Sequence, residues 1–332
     1  MRRCTRFRTL LVLHLAWQLL FRVAPAGALA TDNSTLPNGR GLVQSSDPGA
    51  QHATVSPFTG DATFEIPIAV PPATGGMAPN VALRYSSQSR SDSWVGYGWT
   101  LGLSAISRSL EAGIPAYDDA QDTFLLDGEE LIPLDPSDSS RPREYRTRRE
   151  SFLRVIHESD GTWTVLQPGG ARMRYGMMPA SQVGPGGSDV FQWMLSEQED
   201  LHGNVFMVRY TDHGDAGAAY PDEIRYTMRR QPDGSLQSLD GDPSRDRVIN
   251  FQVAPAVRED QPVNYTAGFK RELSRTLESV EVRVGGELLR RYEMSADSFR
   301  TLLESVSLFG ADADAGVPTA PLVWTGPNPH YS

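Results

Sequence analysis

The side chains best able to do chemistry are few and scattered. Of the six histidines, His14 lies in an apolar N-terminal run, leaving His52, His157, His202, His213 and His330. None belongs to a His-Glu-x-x-His pair, which would put two imidazoles on one helix face for zinc. His202 and His213 flank an expected strand, so a shared metal is one use for them and ordinary turn and loop positions are the other. Asp312-x-Asp314-x-Gly316 opens like a calcium loop but lacks the third acidic ligand and the distal bidentate glutamate. The single cysteine, Cys4, precedes the apolar run and has no lipobox-like site after it, so neither a thiolate nucleophile, a cysteine-based zinc site nor a disulfide framework is expected. No Gly-x-Ser-x-Gly elbow occurs, and Gly169-Gly170 and the glycines from Gly184 to Gly187 lack the strand, helix and lysine of a phosphate loop. Arg141, Arg143, Arg146, Arg148 and Arg149 crowd one stretch, yet the interleaved Glu144 and the strand-like alternation read as an ion-pair face rather than an anion site. No catalytic, cofactor-binding or metal residues are therefore expected, and no cofactor.

The elements that hold these residues read as strands. Phe64, Ile66, Ile68 and Val70 share one face of a period-two pattern, and Thr63, Glu65, Pro67 and Ala69 take the other. Proline in that stretch predicts an edge position. Val81, Leu83 and Tyr85 repeat the pattern after the Pro71-Pro72 and Gly75-Gly76 turn. Asp127-Gly128 joins Thr123–Leu126 to Glu130–Leu134, and Asp160-Gly161 joins Phe152–His157 to a strand through Trp163 and Val165. Met173 and Tyr175 oppose Arg172 and Arg174 across the next strand. His202-Gly203-Asn204 reads as a reversal between Phe191–Leu195 and Val205–Tyr210, and Gly285-Gly286 as another after Val280, Val282 and Val284. Lys270 to Leu277 is the one stretch that fits a short helix. Segments 181–189 and 231–246 are polar and rich in Gly, Pro and Asp, and so are expected as loops, with a subdivision of the chain left open near 181–189. Short strands punctuated by tight turns predict an all-β architecture, with antiparallel strands and hairpins in a curved sheet or shell-like assembly and little helix.

Residues 1–30 have the three-part layout of a secretory signal: Arg2, Arg3, Arg6 and Arg8, then the apolar run Leu10–Val23, then Ala28-Leu29-Ala30. The run is shorter than the roughly 20 residues a bilayer span needs. Cleavage is expected after Ala30, followed by a flexible leader over 31–54, a β domain over 55–325 and a tail over 326–332. The chain carries a formal charge of −10, and loss of the signal would remove only arginines, so the mature surface would be more acidic still. Such a surface repels phosphate backbones and anionic lipid, which argues against binding nucleic acid or a membrane surface, and no second segment approaches the length of a span, so none is expected after cleavage. The expected location is extracellular, with the periplasm as the other compartment the signal allows.

Between Ser56 and Ser109 an ordered run of motifs appears: Gly60-Asp61-Ala62-Thr63, Ile66-Pro67-Ile68, Pro71-Pro72, Gly76-Met77-x-Pro79, Leu83-x-Tyr85-Ser86-Ser87 and Gly96-x-Gly98-Trp99. Phe124-Leu125-Leu126-Asp127-Gly128, Tyr145-Arg146-Thr147, Trp193-x-Leu195, Asp200-x-His202-Gly203-Asn204 and Pro221-x-x-Ile224-x-Tyr226 follow. This series resembles the SpvB family and the N-terminal region of insecticidal toxin complex B components, over roughly 56–325. Asp200 to Tyr210 also resembles the YD (RHS) repeat, in which a Gly-Asn turn joins adjacent strands. Physically, glycines at 96, 98 and 102 permit tight bends in an apolar strand beside the large surfaces of Trp94 and Trp99.

The resemblance implies a non-catalytic structural or interaction module of a secreted bacterial toxin or virulence-type protein, with a shell or scaffold role and other toxin-complex or RHS-type polypeptides as partners. It marks Gly60, Pro67, Pro71, Pro72, Tyr85, Ser86, Ser87, Gly96, Gly98, Trp99, Asp127, Gly128, Gly203 and Asn204 as structural motif residues. It also obliges a test for ADP-ribosyl transfer, which needs an Arg, a Ser-Thr-Ser strand and a Glu-x-Glu turn. Glu197-Gln198-Glu199 supplies only the last, and reads better as a solvated strand end. The competing reading is a carbohydrate or cell-surface binding module, which would need Trp94, Trp99, Trp163 and Trp193 exposed on one platform; most are expected to be buried.

Overall fold

Alternating stretches of the sequence become antiparallel strands in the computed structural model, which describes residues 54–297 and 301–311 and the backbone of 320–325. The expected signal, nearly all of the leader, His52, the calcium-like loop at Asp312–Gly316, the tail and His330 lie outside the described residues. All described residues fall within the unit Gln44–Ser332. Their helical pieces are short 3-10 turns such as Thr74–Gly76 and Pro179–Ser181, so the all-β expectation is met. Among them, no helix is long and apolar enough to cross a membrane.

A 4-stranded sheet comes first. Ala62–Pro67 pairs with Ala82–Ser86, setting Phe64 opposite Tyr85 and Ile66 opposite Leu83. Trp99–Thr100 adds to the second strand and Thr54–Val55 to the first. Ala62–Pro67 is thus an inner strand, not the expected edge. Proline is tolerated because Thr54–Val55 reaches only Ala62 and Thr63, leaving Pro67 beyond the end of that pairing.

A second sheet closes on itself. Ala105–Arg108, Phe124–Leu126, Glu129–Pro133, Arg143–Thr147, Arg154–His157, Trp163–Leu166 and Arg172–Tyr175 pair in sequence. Gln192–Glu199 then pairs with Arg172–Tyr175 through its C-terminal half and with Ala105–Arg108 through its N-terminal half, completing a barrel. The interior is aromatic: Phe124, Tyr145, Trp163, Tyr175 and Trp193 are all buried. Truncating one of these to alanine would cost about 3–5 kcal/mol through lost burial and the cavity left behind.

From the same strand the sheet continues outward through Asn204–Thr211, Tyr220–Arg230, Arg247–Val253, Leu277–Val284, Glu287–Asp297, Leu302–Phe309 and Ala320–Thr325. Its apolar residues Tyr226, Ile249, Phe251, Val280, Val282, Tyr292 and Val306 share one core with Ile66, Leu83, Trp94 and Trp99 of the N-terminal region. Trp94 packs edge-on to Tyr220 and Phe251, with centroids 5.7 and 6.1 Å away.

Two expectations need correction. Lys270 to Leu277 is not a helix: Arg271–Glu272 is a strand paired with Val263–Asn264, and Leu277 starts another. Its backbone donors are claimed by distant acceptors, Glu272 N by Ala216 O, Leu273 N by Pro262 O and Ser274 N by Asp215 Oδ2. No local i→i−4 ladder can compete with these. The loops expected at 181–189 and 231–246 each contain a short strand, Gln182–Val183 against Trp193 and Gln192, and Leu236–Ser238 against Met228–Arg230.

Candidate functional site: the shared strand and the motif clasps

Gln192–Glu199 belongs to both halves of the large sheet, and strict alternation would place Trp193, Leu195, Glu197 and Glu199 on a single face. A bulge prevents this. Tyr175 opposes Leu195 while Arg174 opposes Glu197, so Ser196 is the extra residue and the faces exchange across it. The Ser196 hydroxyl stabilises the bulge by accepting from Met177 N at 3.1 Å and donating to Ser181 Oγ at 3.1 Å. Trp193 therefore stays among the barrel aromatics, and the two glutamates turn toward arginines of neighbouring strands.

Each of those glutamates is paired with arginines through one carboxylate oxygen. Glu197 Oε1 lies 2.7 Å from Arg174 and 2.6 Å from Arg230, and Glu199 Oε2 lies 2.8 Å from both Arg172 and Arg230. Burial pushes the Glu199 carboxyl up, but hydrogen bonds from Arg172 and Arg230 prevail and hold it below the usual carboxylate range. Burial also pulls the Arg174 guanidinium below its ordinary value. The solvated strand end expected for Glu197 and Glu199 is replaced by a buried ladder, Glu197 being only 4% exposed. A carboxylate that stabilises a cationic sugar or orients an acceptor works from a cleft, whereas here Glu197 Oε1 and Glu199 Oε2 are each engaged by two or more arginines.

The motif residues assemble into three clasps. At the open end of the first hairpin, Asp61 accepts from Ser86 Oγ at 2.9 Å and Ser87 Oγ at 3.1 Å, while Ser87 Oγ accepts from Ala62 N at 2.8 Å. Burial raises the Asp61 carboxyl, but the hydrogen bonds from Ser86, Ser87 and Gln88 outweigh it and the net shift is downward. Gly60 is the positive-φ turn that brings Asp61 to this position. In the second clasp, Gly96 and Gly98 carry φ of 142° and 77°. A Cβ on Gly96 would stand 2.9 Å from the Thr301 carbonyl oxygen, and one on Gly98 2.9 Å from the Tyr85 ring, which itself packs 5.3 Å from Trp99. The third joins pieces far apart in sequence: a Cβ on Gly75 would stand 2.9 Å from both Asn204 Nδ2 and Asp200 Oδ2. Asn204 Nδ2 donates to Asp200 Oδ2 at 2.7 Å, closing the turn whose Gly203 carbonyl accepts from Arg230 N at 2.8 Å. The Pro71-Pro72 step runs beside this region, where the Pro71 carbonyl accepts from Tyr226 OH at 3.3 Å, and Pro67 stays in the hairpin with Ala82 as its register partner. Asp127 and Gly128 lie elsewhere, both at positive φ, with the Asp127 carboxylate accepting from Ser104 Oγ and Ala105 N.

Sequence reasoning missed a buried cluster inside the barrel. Arg108 pairs with Asp119 at 3.0 Å and Asp122 at 2.7 Å, and Arg141 reaches Asp119 at 2.7 Å. His157, fully buried, has Nδ1 3.1 Å from Asp119 Oδ2 without the alignment of a hydrogen bond, and its Nε2 has no partner. Burial lowers its affinity for a proton more than Asp119 raises it, and Arg141 and Arg108 add to the lowering. The only forewarning in the sequence was Asp118-Asp119 and Asp122 near the Phe124 strand, which look like ordinary loop acids. The arginine-rich stretch divides as alternation demands: Arg143 points inward over the Tyr145 ring, and Arg146 and Arg148 pair outward with Glu144 and Glu130.

His202 and His213 bracket the 8-residue strand Asn204–Thr211, which at about 3.3 Å per residue holds them too far apart to share a metal. Trp94, Trp99, Trp163 and Trp193 are all buried, as expected, so they form no sugar-stacking platform.

A barrel and a continuing sheet joined by one shared strand, sealed by hydrogen-bonded clasps, define the class: an all-β module of antiparallel strands. The N-terminal domain of the effector protein SpvB from Salmonella typhimurium strain LT2 matches it with a TM-score of 0.62 and 22% identity, over 74% of this chain and 98% of that domain. The Photorhabdus luminescens Tc holotoxin pore contains a chain matching with a TM-score of 0.63 and 20% identity, over 81% of this chain and 15% of that one. Residues 56–238 match the family model described as Salmonella virulence plasmid 65kDa B protein, SpvB, and the chain belongs to that family. It is 26% identical over 261 residues to the mono(ADP-ribosyl)transferase SpvB of Salmonella choleraesuis (strain SC-B67), covering 70% of this chain. The chain spans 42% of that relative's length.

Proposed function

We propose that this chain is a non-catalytic structural and interaction module of a secreted toxin-type protein, lending its strands to a shell or scaffold built with other toxin-complex or RHS-type polypeptides. One observation carries the reading: the same fold recurs as a separate N-terminal domain of an effector and as a small part of a large toxin-complex chain. A fold used in both settings serves as a wall or a mount independently of the chemistry attached to it. Two further features support it. The Glu-x-Glu carboxylates are held by arginines, and the shared strand Gln192–Glu199 ties the barrel to the continuing sheet as one framework. Export is supported by the basic, apolar and Ala-x-Ala order of residues 1–30.

Co-expression with the RHS-repeat or toxin-domain polypeptide of an adjoining reading frame tests the proposal. The expected result is one stable complex on size exclusion, with NAD+ hydrolysis at background. A chain that elutes alone, or that turns over NAD+ and loses this activity on Glu197→Gln, overturns it.

A further inference from the structure

The two sides of the 4-stranded sheet differ in chemistry. Ile66, Leu83 and Trp99 on one side are part of the core. Alternation puts Glu65, Arg84 and Thr100 together on the other, Arg84 being the register partner of both its neighbours. Thr54 beside Thr63 forms the next row on that side. These residues, with Ser89, line a hollow of about 380 Å3, within the range of roughly 300–1,000 Å3 found for small-molecule sites.

Arg84 is seated before any ligand arrives. Its Nε donates to Glu65 Oε2 at 3.1 Å and its Nη1 to the Gly102 carbonyl oxygen at 3.3 Å. A Cβ on Gly102 would stand 2.1 Å from Arg84 Nη1, so the guanidinium lies where only glycine leaves room. Glu65 Oε1 and Arg84 Nη2 make no hydrogen bond among the described residues, and each side chain is 38% exposed. The hollow thus offers an acceptor and a donor side by side, with threonine and serine hydroxyls, which can do both, around them.

That set selects a neutral ligand. A phosphate or carboxylate that approaches Arg84 also meets Glu65, and an ammonium that approaches Glu65 also meets Arg84, so the pair cancels the attraction for either charge. What fits is a molecule with a donor and an acceptor on adjacent atoms and further hydroxyls close by, which is the pattern of a pyranose ring. We propose that this hollow binds a neutral sugar: one hydroxyl donates to Glu65 Oε1, its vicinal neighbour accepts from Arg84 Nη2, and a further ring hydroxyl meets Thr100. The site goes beyond the assembly reading and does not depend on it, nor on the buried tryptophans.

The test titrates the full chain with the methyl α-glycosides of glucose, galactose and mannose, with N-methylacetamide and inorganic phosphate as comparators, followed by two-dimensional NMR. At least one glycoside should shift the amides of Glu65, Arg84 and Thr100 saturably, with a dissociation constant on the order of millimolar, as about a dozen heavy atoms in an open site allow. Arg84→Gln should weaken binding by about tenfold or more, the loss of a hydrogen bond to a charged group, and Thr100→Val, which keeps a β-branched strand residue, by about threefold. Gly102→Ala should also weaken it, because it displaces the guanidinium while leaving every polar group of the hollow in place. Arg148→Gln, which breaks an exposed ion pair with Glu130 on the barrel, should bind as wild type. No saturable shift with any of the three glycosides overturns the proposal. So does binding that Arg84→Gln or Thr100→Val leaves unchanged, and so does N-methylacetamide or phosphate binding as tightly as the best glycoside. A complex on co-expression without sugar binding leaves the assembly reading standing and sinks this site; sugar binding without a complex does the reverse.

Discussion

His157 lies flat on Trp163 inside the barrel, with ring centroids 4.0 Å apart and planes 6° from parallel. Neither imidazole nitrogen makes an aligned hydrogen bond to the protein, and burial outweighs the pull of Asp119 on a proton, so the neutral ring packs as an aromatic core residue. A proton would set a charge against Arg108 and Arg141 with only Asp119 to offset it.

This arrangement predicts acid sensitivity. The folded imidazole titrates below its ordinary value of 6.5, so as pH falls below that value the unfolded chain takes up a proton that the native chain refuses. Stability is therefore complete above pH 6.5 and declines below it, by at most about 1.4 kcal/mol per pH unit until the folded value is reached. Asp119, held low against its own burial by His157 and Arg141, adds a further loss only in stronger acid. Urea unfolding at intervals between pH 7.5 and 5 should show the decline in the wild type. His157→Phe keeps the stack and should flatten it; an equal slope in that variant would exclude His157 as the cause.

The glutamate ladder predicts a stability effect without a catalytic one. Glu197→Gln leaves Arg174 and Arg230 sharing a reduced negative charge in a largely desolvated site, at a cost of about 3 kcal/mol. Thermal unfolding should register this as a clear drop in melting temperature. Replacement of Glu199, whose partner Arg172 is more exposed, should cost less. Equal effects at the two positions would mean that burial does not set the energetics of the ladder.

Much of this fold was legible because tight turns announce themselves. Asp127-Gly128, Asp160-Gly161 and Gly285-Gly286 all fall between paired strands, in the places their turn chemistry dictates. The bulge at Ser196 was not legible, since a single extra residue has no composition signal and the alternation Trp193, Leu195, Glu197, Glu199 looks unbroken. The same limit hid the cluster around Arg108, whose partners Asp119 and Asp122 sit in a loop and acquire meaning only when the barrel closes over them. The helix expected at Lys270–Leu277 failed for a related reason: Asp215, far away in sequence, holds Ser274 in an extended path.

Asp215 yields the next prediction. Its carboxylate accepts from Tyr220 OH at 2.5 Å and from Ser274 N and Oγ at 2.7 and 2.6 Å, all in the buried interior. Asp215→Ala strands these donors at about 1–3 kcal/mol for each group left unsatisfied, partial relaxation reducing the sum. Hydrogen exchange should show the amides from Leu273 to Leu277 losing protection before the barrel strands do. Unchanged protection there would mean that the Pro262 and Ala216 carbonyls suffice to hold the segment.

Gly96 and Gly128 separate two penalties that a glycine substitution can carry. Both residues sit at positive φ, 142° and 86°, so alanine at either pays the backbone strain of that region. Around Gly128 a Cβ meets nothing within 4 Å, whereas at Gly96 it meets the Thr301 carbonyl oxygen at 2.9 Å and Leu303 N at 3.4 Å. Those contacts are backbone, so no rotamer change relieves them. The Tyr97 N–H that donates to the same Thr301 oxygen at 3.2 Å would have to shift as well. Gly96→Ala should therefore lower stability by clearly more than Gly128→Ala, by roughly 1–3 kcal/mol beyond it. Chemical denaturation of the two variants side by side reads the difference directly. If Gly128→Ala proved the worse of the two, the close packing of the Gly96 loop on the Thr301 turn would not be what holds the N-terminal sheet against the rest of the protein.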